Sequence, residues 1–377
     1  MLFKVLRKVK LGDASLKVLA PFARHFTGKS VSMSEIESRA LLSAHSPDSH
    51  GSAWFPGSFR DASPDADLDI IVPVYNVESY LRDCIRSILE QKTQYRFRAI
   101  FIDDGSTDAS GRILDEYPPD SRMVVIHQEN RGHSGARNTG IAHAASTYLM
   151  FVDSDDLLAP GAVQSMLSAA FSRDAALVQG CFSTFQKVGN YHRELNFAAS
   201  VVENLPLNAL PGYLWGKLIR REYFDHLRLP MGYWYEDSII AQILFPCLLR
   251  DQKTVVGLQD VVYYYRDNPQ GISRVAQNRP KSIDSFWITS ALYEDRRSFS
   301  LSNTQFDYET VLDMILLTFE RTIHQPRTIQ QALMVQWRAF LHAQFPSFRT
   351  NRKSFEALEE AIHVGNFPLY SLCCQLL

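Results

Sequence analysis

The sequence lacks any apolar run approaching the roughly 20 residues that a bilayer-spanning helix needs. It also lacks a small-residue cleavage site after a compact apolar stretch at its N-terminus. It is therefore expected to be neither integral nor secreted. An excess of one charge is missing too: 39 basic residues face 41 acidic ones, for a formal net charge of -2. Nothing in that balance calls for a nucleic-acid partner. The five cysteines, Cys84, Cys181, Cys247, Cys373 and Cys374, are scattered and form no CxxC pair or zinc-ligand spacing. They are expected to be small buried apolar residues in a reduced, cytoplasmic compartment. No repeat of fixed period occurs. The first apolar run is not followed by GxGxxG, and GxxxxGK(S/T) is absent, which argues against a dinucleotide dehydrogenase and a P-loop kinase.

What is present is a globular composition, 46% hydrophobic and 21% charged over 377 residues. The N-terminal stretch MLFKVLRKVKLGDASLKVLAPFARHF combines Leu2, Phe3, Leu6 and Val9 with Lys4, Arg7, Lys8, Lys10, Lys17 and Arg24, against the single acid Asp13. This basic amphipathic pattern suits an anionic membrane surface, where apolar burial and lipid charge act together. A helix packed on its own domain or on a second subunit is the alternative. From Ser43 to Asp67 the chain is dense in Ser, Pro, Gly and Asp without periodicity, as in a linker.

The folded catalytic part is expected from Leu68. DIIVPVY, FRAIFID, MVVIH and TYLMFVD read as strands, and ESYLRDCIRSILEQ, SGRILDEY and SGARNTGIAHAA, between successive pairs of them, read as helices. Such alternation implies an α/β fold with a mostly parallel sheet covered by helices on both faces. Ligands in these sheets bind beyond the carboxyl ends of strands. After about Lys281, ETVLDMILLTFERTIHQ and QQALMVQWRAFLHAQF are amphipathic helices with no strand between them. Three segments are expected: 1–67, 68–280, and a helical C-terminal module over 281–377.

Polar clusters close three of the strands. DSDD, at Asp153, Ser154, Asp155 and Asp156, sets three carboxylates within four residues, and their repulsion favours a hard divalent cation, Mg²⁺ or Mn²⁺. Asp156 as cap of a helix starting near Leu158 is the structural alternative. In IDDGSTDASG, Gly105 suits a turn, and Asp104 is placed to accept a hydrogen bond from a base edge, with Tyr75 to stack on that base. In QENRGHSGARNTG, Arg131, His133 and Arg137 surround a helix start suited to phosphate or ribose. GYWYEDSIIAQILF places Glu236 and Asp237 after three aromatics, where a general base would serve an acceptor hydroxyl or, more simply, where a helix is capped. Trp215 and Lys217 read either as packing residue and surface base or as acceptor contacts. The run Tyr263, Tyr264 and Tyr265 alternates so that at least one ring packs inward.

Read in order, PVYN, DDGSTD, NRGHSGARNTG, DSDD and WYEDS resemble the family 2 glycosyltransferases of the GT-A fold, over Asp69 to about Arg274. YLWGKLIRREYF and VVYYYRDNPQGISR look like that family's later segments. The resemblance implies an inverting, metal-dependent transfer from a nucleotide-diphosphate sugar, a UDP-sugar, to a glycan or lipid-linked acceptor in bacterial surface polysaccharide synthesis. Pro73 and Tyr75 would line the nucleoside pocket, Asp104 would read the uracil edge, and Arg137 would lie near the nucleoside or its phosphates. Asp153 and Asp155 match the DXD motif at the ribose and metal-diphosphate end, with Asp156 a third candidate ligand because the register of DSDD is ambiguous. Asp237, or else Glu236, would be the base. The expected location is cytoplasmic, with peripheral attachment to the inner face of the membrane as an extension.

Two departures stand out. The segment after Tyr265, near the end of the matched domain, offers no His to complete a metal site as in some relatives, so Arg266 or a water would take that place. A QxxRW motif is absent, which favours adding one or a few sugars per encounter. A catalytically silent nucleotide-sugar-binding module and a sugar nucleotidylyltransferase are the alternatives.

Overall fold

The computed structural model describes residues 31–57, 66–195, 197, 199–268 and 279–377. The chain divides into two compact units. One comprises Gly51–Gly232 and Glu236–Gly271; the other holds the described residues of Met1–His50, Tyr233–Tyr235 and Ile272–Leu377.

The larger unit is built on one ten-stranded sheet. Its first half follows the expected alternation: β1 (Leu68–Val74), α2 (Glu78–Leu89), β2 (Phe97–Asp103), α3 (Ser110–Asp115), β3 (Met123–His127), α4 (Gly132–His143) and β4 (Tyr148–Phe151). These four strands are parallel and lie in the order β3-β2-β1-β4. Side chains alternate along a strand. Leu68, Ile70, Val72 and Val74 therefore share one face with Phe97, Ala99 and Phe101, and pack in one core with Leu81, Cys84, Ile85 and Ile88 of α2. Each such Leu or Ile contributes about 1.5–3 kcal/mol on burial, so the apolar runs alone commit this half to its register.

The opposite face is covered by α4, and a glycine allows the close approach. A Cβ on Gly140 would stand 2.4 Å from Ile71 Cγ2 and 3.0 Å from Ile102 Cδ1. With no side chain there, the helix sits directly on β1 and β2, and its first turns reach the ends of those strands.

The second half departs from a purely parallel plan. It contains β5 (Leu157–Leu158), α5 (Ala162–Ser172), β6 (Leu177–Phe185), β7 (Tyr191–Arg193), β8 (Val201–Glu203), β9 (Lys217–Arg220), α6 (Phe245–Arg250) and β10 (Val255–Arg266). Strand β9 runs antiparallel between β4 and β6, and β10 is parallel to β6. The sheet as a whole is mixed, while the four strands carrying the alternation are parallel as expected. β4 ends at Phe151, so the acidic cluster begins two residues beyond it. No helix starts at Leu158: Leu157–Leu158 pairs antiparallel with Tyr263 and Tyr264 of β10, which removes Asp156 from a capping role.

The smaller unit is helical. Its first helix, α1 (Glu35–His45), is capped by Ser34 in a reciprocal box with Glu37. The expected C-terminal helices form α7 (Asp284–Asp295), α8 (Gln305–Thr322), α9 (Arg327–Gln344), α10 (Glu356–Val364) and α11 (Phe367–Leu376). Gln336 of α9 donates to the Glu35 carbonyl at 2.8 Å and to Ser38 Oγ at 2.7 Å, and Trp287 Nε1 donates to the Ser46 carbonyl at 3.0 Å. The stretch from Glu35 to Ser46, treated in the sequence as part of a leading segment, thus belongs with the C-terminal helices. The basic amphipathic stretch at residues 1–26 and the end of the Tyr-Arg segment at 269–274 lie outside the described residues. Among the described residues, no helix is long and apolar enough to cross a membrane.

Candidate active site

The strands β1, β2 and β4 deliver their polar ends to one place, held in register by Asp104 N–H donating to the Val74 carbonyl and Val152 N–H to the Ile71 carbonyl. Pro73 is buried within β1, and Tyr75, just beyond it, is 48% exposed. Asp104 is buried, and its Oδ1 accepts from Gln128 Nε2 at 2.6 Å and from the Arg131 N–H at 2.9 Å. Its Oδ2 accepts none among the described residues, so one oxygen is braced and the other can receive an N–H from a ligand. Asn76 Oδ1 accepts the Thr107 N–H at 2.8 Å and ties the two strand-end loops together. Asp103 makes a second brace: its Oδ1 accepts the Ser106 N–H at 3.0 Å, and its Oδ2 lies 2.8 Å from His127 Nδ1.

The centre of the site is an ion network. Arg137, on α4, donates from Nη2 to Asp153 Oδ1 at 2.6 Å and from Nη1 to Glu236 Oε1 at 2.5 Å. His133, one turn earlier, places Nδ1 at 3.1 Å from Glu236 Oε1 and Nε2 at 3.6 Å from Asp153 Oδ1. Arg137 was expected beside the nucleoside or phosphates; here its fork is occupied by two carboxylates. Burial opposes the charge on Asp153, yet Arg137 and His133 outweigh it and hold this carboxyl well below the usual range. Burial likewise opposes Glu236, but His133 and Arg137 bring it down to about 2. Burial and Arg137 work against the His133 imidazolium, and the hydrogen bonds to Asp153 and Glu236 raise it to about 9 all the same.

Asp237 differs from its neighbour in its hydrogen-bond partners and in the direction of its shift. Its carboxylate accepts no hydrogen bond among the described residues and is half-buried. Burial, then the negative charge of Glu236, push it up to about 7. A carboxylate near 7 can take a proton at neutral pH, whereas Glu236 near 2 is a far weaker base. Of the two candidates, Asp237 holds its proton the more tightly and has no hydrogen-bond donor on its carboxylate among the described residues. Lys217, considered as a surface base, is fully buried instead; its Nζ donates to the Pro211 carbonyl at 2.8 Å, and burial lowers it to about 7, opposed by Asp237.

The acidic cluster divides by role. Asp156 is buried, with Oδ2 accepting from the Tyr263 hydroxyl at 2.8 Å and Oδ1 from the Arg266 N–H at 2.6 Å. Expected as a third candidate ligand, it is committed to protein donors on β10. Tyr263 is the inward ring of the Tyr run, and its oxygen also accepts the Asp153 N–H at 3.1 Å. Asp155 is half-buried, accepts from Asn268 Nδ2 at 3.1 Å through Oδ2, and is raised by burial and by Asp153. Among the described residues, no three His, Cys, Asp or Glu side chains converge on a metal position by themselves. The one uncommitted carboxylate oxygen of Asp155, in a cluster whose charges repel, nevertheless fits a hard cation that draws its other ligands from substrate phosphates and water.

Asn268 and the Asp103–His127 brace had no assigned role in the sequence, and Tyr263 was read only as one of three rings of which at least one packs inward. His133, read with Arg131 and Arg137 as part of a phosphate or ribose site, lies against Asp153 and Glu236.

A family model described as Glycosyl transferase family 2 matches residues 69–229. Glycosyltransferase GlyG of Streptococcus pneumoniae is 30% identical over 224 residues, covering 55% of this chain and 73% of its own length. Minor teichoic acid biosynthesis protein GgaA of Bacillus subtilis is 31% identical over 317 residues, covering 80% of this chain and 65% of its own length. Glycosyltransferase GlyA of Streptococcus pneumoniae is 34% identical over 227 residues, and the chain spans only 32% of its length. The crystal structure of S. aureus TarS 1-349 in complex with UDP-GlcNAc superposes with a TM-score of 0.62 over 81% of this chain and 89% of that one, at 17% identity, which is a likeness of fold.

Proposed function

Because this chain belongs to the family 2 glycosyltransferases, we propose that it moves a sugar from a UDP-sugar to an acceptor hydroxyl in a single displacement with inversion. The observation that carries the mechanism is the pairing of an unbraced Asp237, raised to about 7, with a Glu236 clamped by Arg137 and His133. The nucleoside would stack on Tyr75 and present its N–H edge to Asp104 Oδ2. Asp153, fixed by Arg137 and by the Tyr263 hydroxyl, would face the ribose and diphosphate end. Asp155 would hold Mn²⁺ or Mg²⁺, and that cation, when bound, supplies neutralising charge on the diphosphate oxygens.

The rest falls to the protein's own groups. Asp237 accepts the proton of the acceptor hydroxyl as its oxygen bonds to the anomeric carbon. The bond from that carbon to the diphosphate oxygen breaks in the same step, and the nucleoside diphosphate leaves with the electron pair. Asp156, Tyr263 and Arg266 hold the DSDD turn in place. Bacterial surface glycan synthesis is supported by relatives with names such as the teichoic acid biosynthesis protein above. A lipid-linked or glycan acceptor met at the inner face of the membrane through residues 1–26 completes the proposal.

The test is release of UDP from a panel of UDP-sugars with Mn²⁺ present. Turnover with at least one donor supports the transferase; tight UDP binding with no turnover on any donor supports a silent binding module instead. The pH dependence is set by Asp237, which acts as the carboxylate. Below its value of about 7 the active form declines. kcat/KM should rise about tenfold per pH unit up to that value and then level off. A rate that falls through the same window contradicts the assignment of Asp237.

A further inference from the structure

Four aromatic rings stack in the β9, β6 and β10 half of the sheet: Tyr213, Trp215, Tyr263 and Tyr265, the last with its centroid 5.3 Å from that of Trp215 and planes at 23°. Tyr213 lies on Trp215 with centroids 4.5 Å apart and planes at 11°, and Trp215 lies on Tyr263 at 4.7 Å and 14°. Phe182 meets the edges of the first two rings, 4.9 Å from Trp215 at 81° and 6.3 Å from Tyr213 at 88°. One end is anchored in the site: the Tyr263 hydroxyl donates to Asp156 and accepts the Asp153 N–H. At the other end, Tyr213 is 41% exposed, while Trp215 is 7% exposed. A bridge between Trp215 and Phe151 sets the Trp215 ring level with the strand end that leads to Asp153.

The role of this stack rests on the transferase mechanism proposed above. A buried core needs no parallel column ending in a half-exposed phenol, and the edge contacts of Phe182 leave the orientation of Tyr213 little freedom. A prepared flat surface takes a flat ligand at low ordering cost. The aromatic face carries negative charge density and the C–H groups on one side of a pyranose carry the opposite sign, so the two surfaces match. An acyclic polyol phosphate presents no flat apolar side.

The position separates this surface from the donor nucleoside. Pro73, Tyr75 and Asp104 stand at the ends of β1 and β2, on the far side of β4 from β9, β6 and β10. We infer that Tyr213, supported by Trp215, is the platform for the acceptor, and that the acceptor ends in a neutral pyranose ring.

Ligand-observed saturation-transfer NMR on the full chain with UDP and Mg²⁺ tests this. The probes are the methyl glycosides of glucose, galactose and N-acetylglucosamine, with ribitol 5-phosphate as the acyclic comparison. At least one pyranoside should receive saturation on the C–H groups of one ring side. Tyr213→Ala should weaken it by about two- to tenfold, the range of an aromatic contact, while Tyr213→Phe keeps it. Ribitol 5-phosphate should receive none. The proposal is overturned if no pyranoside is engaged, if Tyr213→Ala engages it as well as the parent protein, or if ribitol 5-phosphate competes equally. The UDP signals are read in the same spectra and judge the donor site separately. An unchanged melting temperature of the Tyr213→Ala protein shows that the loss is local.

Discussion

Asp237→Asn should lower kcat by about 10²–10⁴-fold, the range for loss of a positioned general base, while UDP-sugar affinity stays within about threefold of the parent protein. The substitution keeps shape and removes only the proton acceptor. Glu236 cannot take over, because Arg137 and His133 hold it as a very weak base near 2. The check is pre-steady-state measurement of transfer together with calorimetric binding of the donor. A variant with near-parental kcat would move the base to another residue. A variant that has lost donor affinity in proportion would make Asp237 a binding group.

The second large effect concerns stability. Arg137→Met should destabilise the larger unit by about 3–5 kcal/mol, the loss expected when one partner of a buried ion network is removed. The arginine side chain is only 3% exposed, and it donates short hydrogen bonds to both Asp153 and Glu236. Without it, two carboxylates face each other through His133. Adding Glu236→Gln to Arg137→Met should recover part of the loss, since the stranded charge is then gone. Denaturant unfolding with an unchanged m-value measures both. The network also gives stability a pH sign. Asp153 and Glu236 have values held below those of the unfolded chain, so their contribution is complete above the ordinary carboxylate range. It is lost as the pH falls through that range toward about 2. Full stability in Arg137→Met would contradict this account of the network.

The features that were legible in the sequence are local ones. The runs DIIVPVY, FRAIFID and TYLMFVD are apolar and β-branched because both faces of their strands are covered, so their position and the polar clusters at their ends could be read directly. Family membership was legible for the same reason, since PVYN, DDGSTD and DSDD each sit at a strand end and keep their order. Contacts formed across long separations were not legible. Asp156 meets the Arg266 N–H 110 residues away, and Arg137 meets Glu236 99 residues away. No periodicity records such pairings. The bare cluster DSDD suggested three equivalent carboxylates, whereas β10 takes up both oxygens of Asp156, Arg137 and His133 take up Asp153 Oδ1, and Asn268 takes up one oxygen of Asp155, so that among the described residues Asp153 and Asp155 each keep one uncommitted oxygen. Lys217 shows the same limit from the other side: a charged residue after WG reads as surface until β9 is seen between β4 and β6, where its side chain is enclosed.

The most direct test of the central claim, a nucleotide-diphosphate site organised on Asp155 with a divalent cation, is calorimetric titration of UDP with and without Mn²⁺. One UDP should bind per chain with Mn²⁺ present, at least about tenfold more weakly after chelation, and Asp155→Asn should abolish the difference between the two conditions. Failure of UDP to bind in either condition, or an affinity that neither Mn²⁺ nor Asp155→Asn alters, would contradict it.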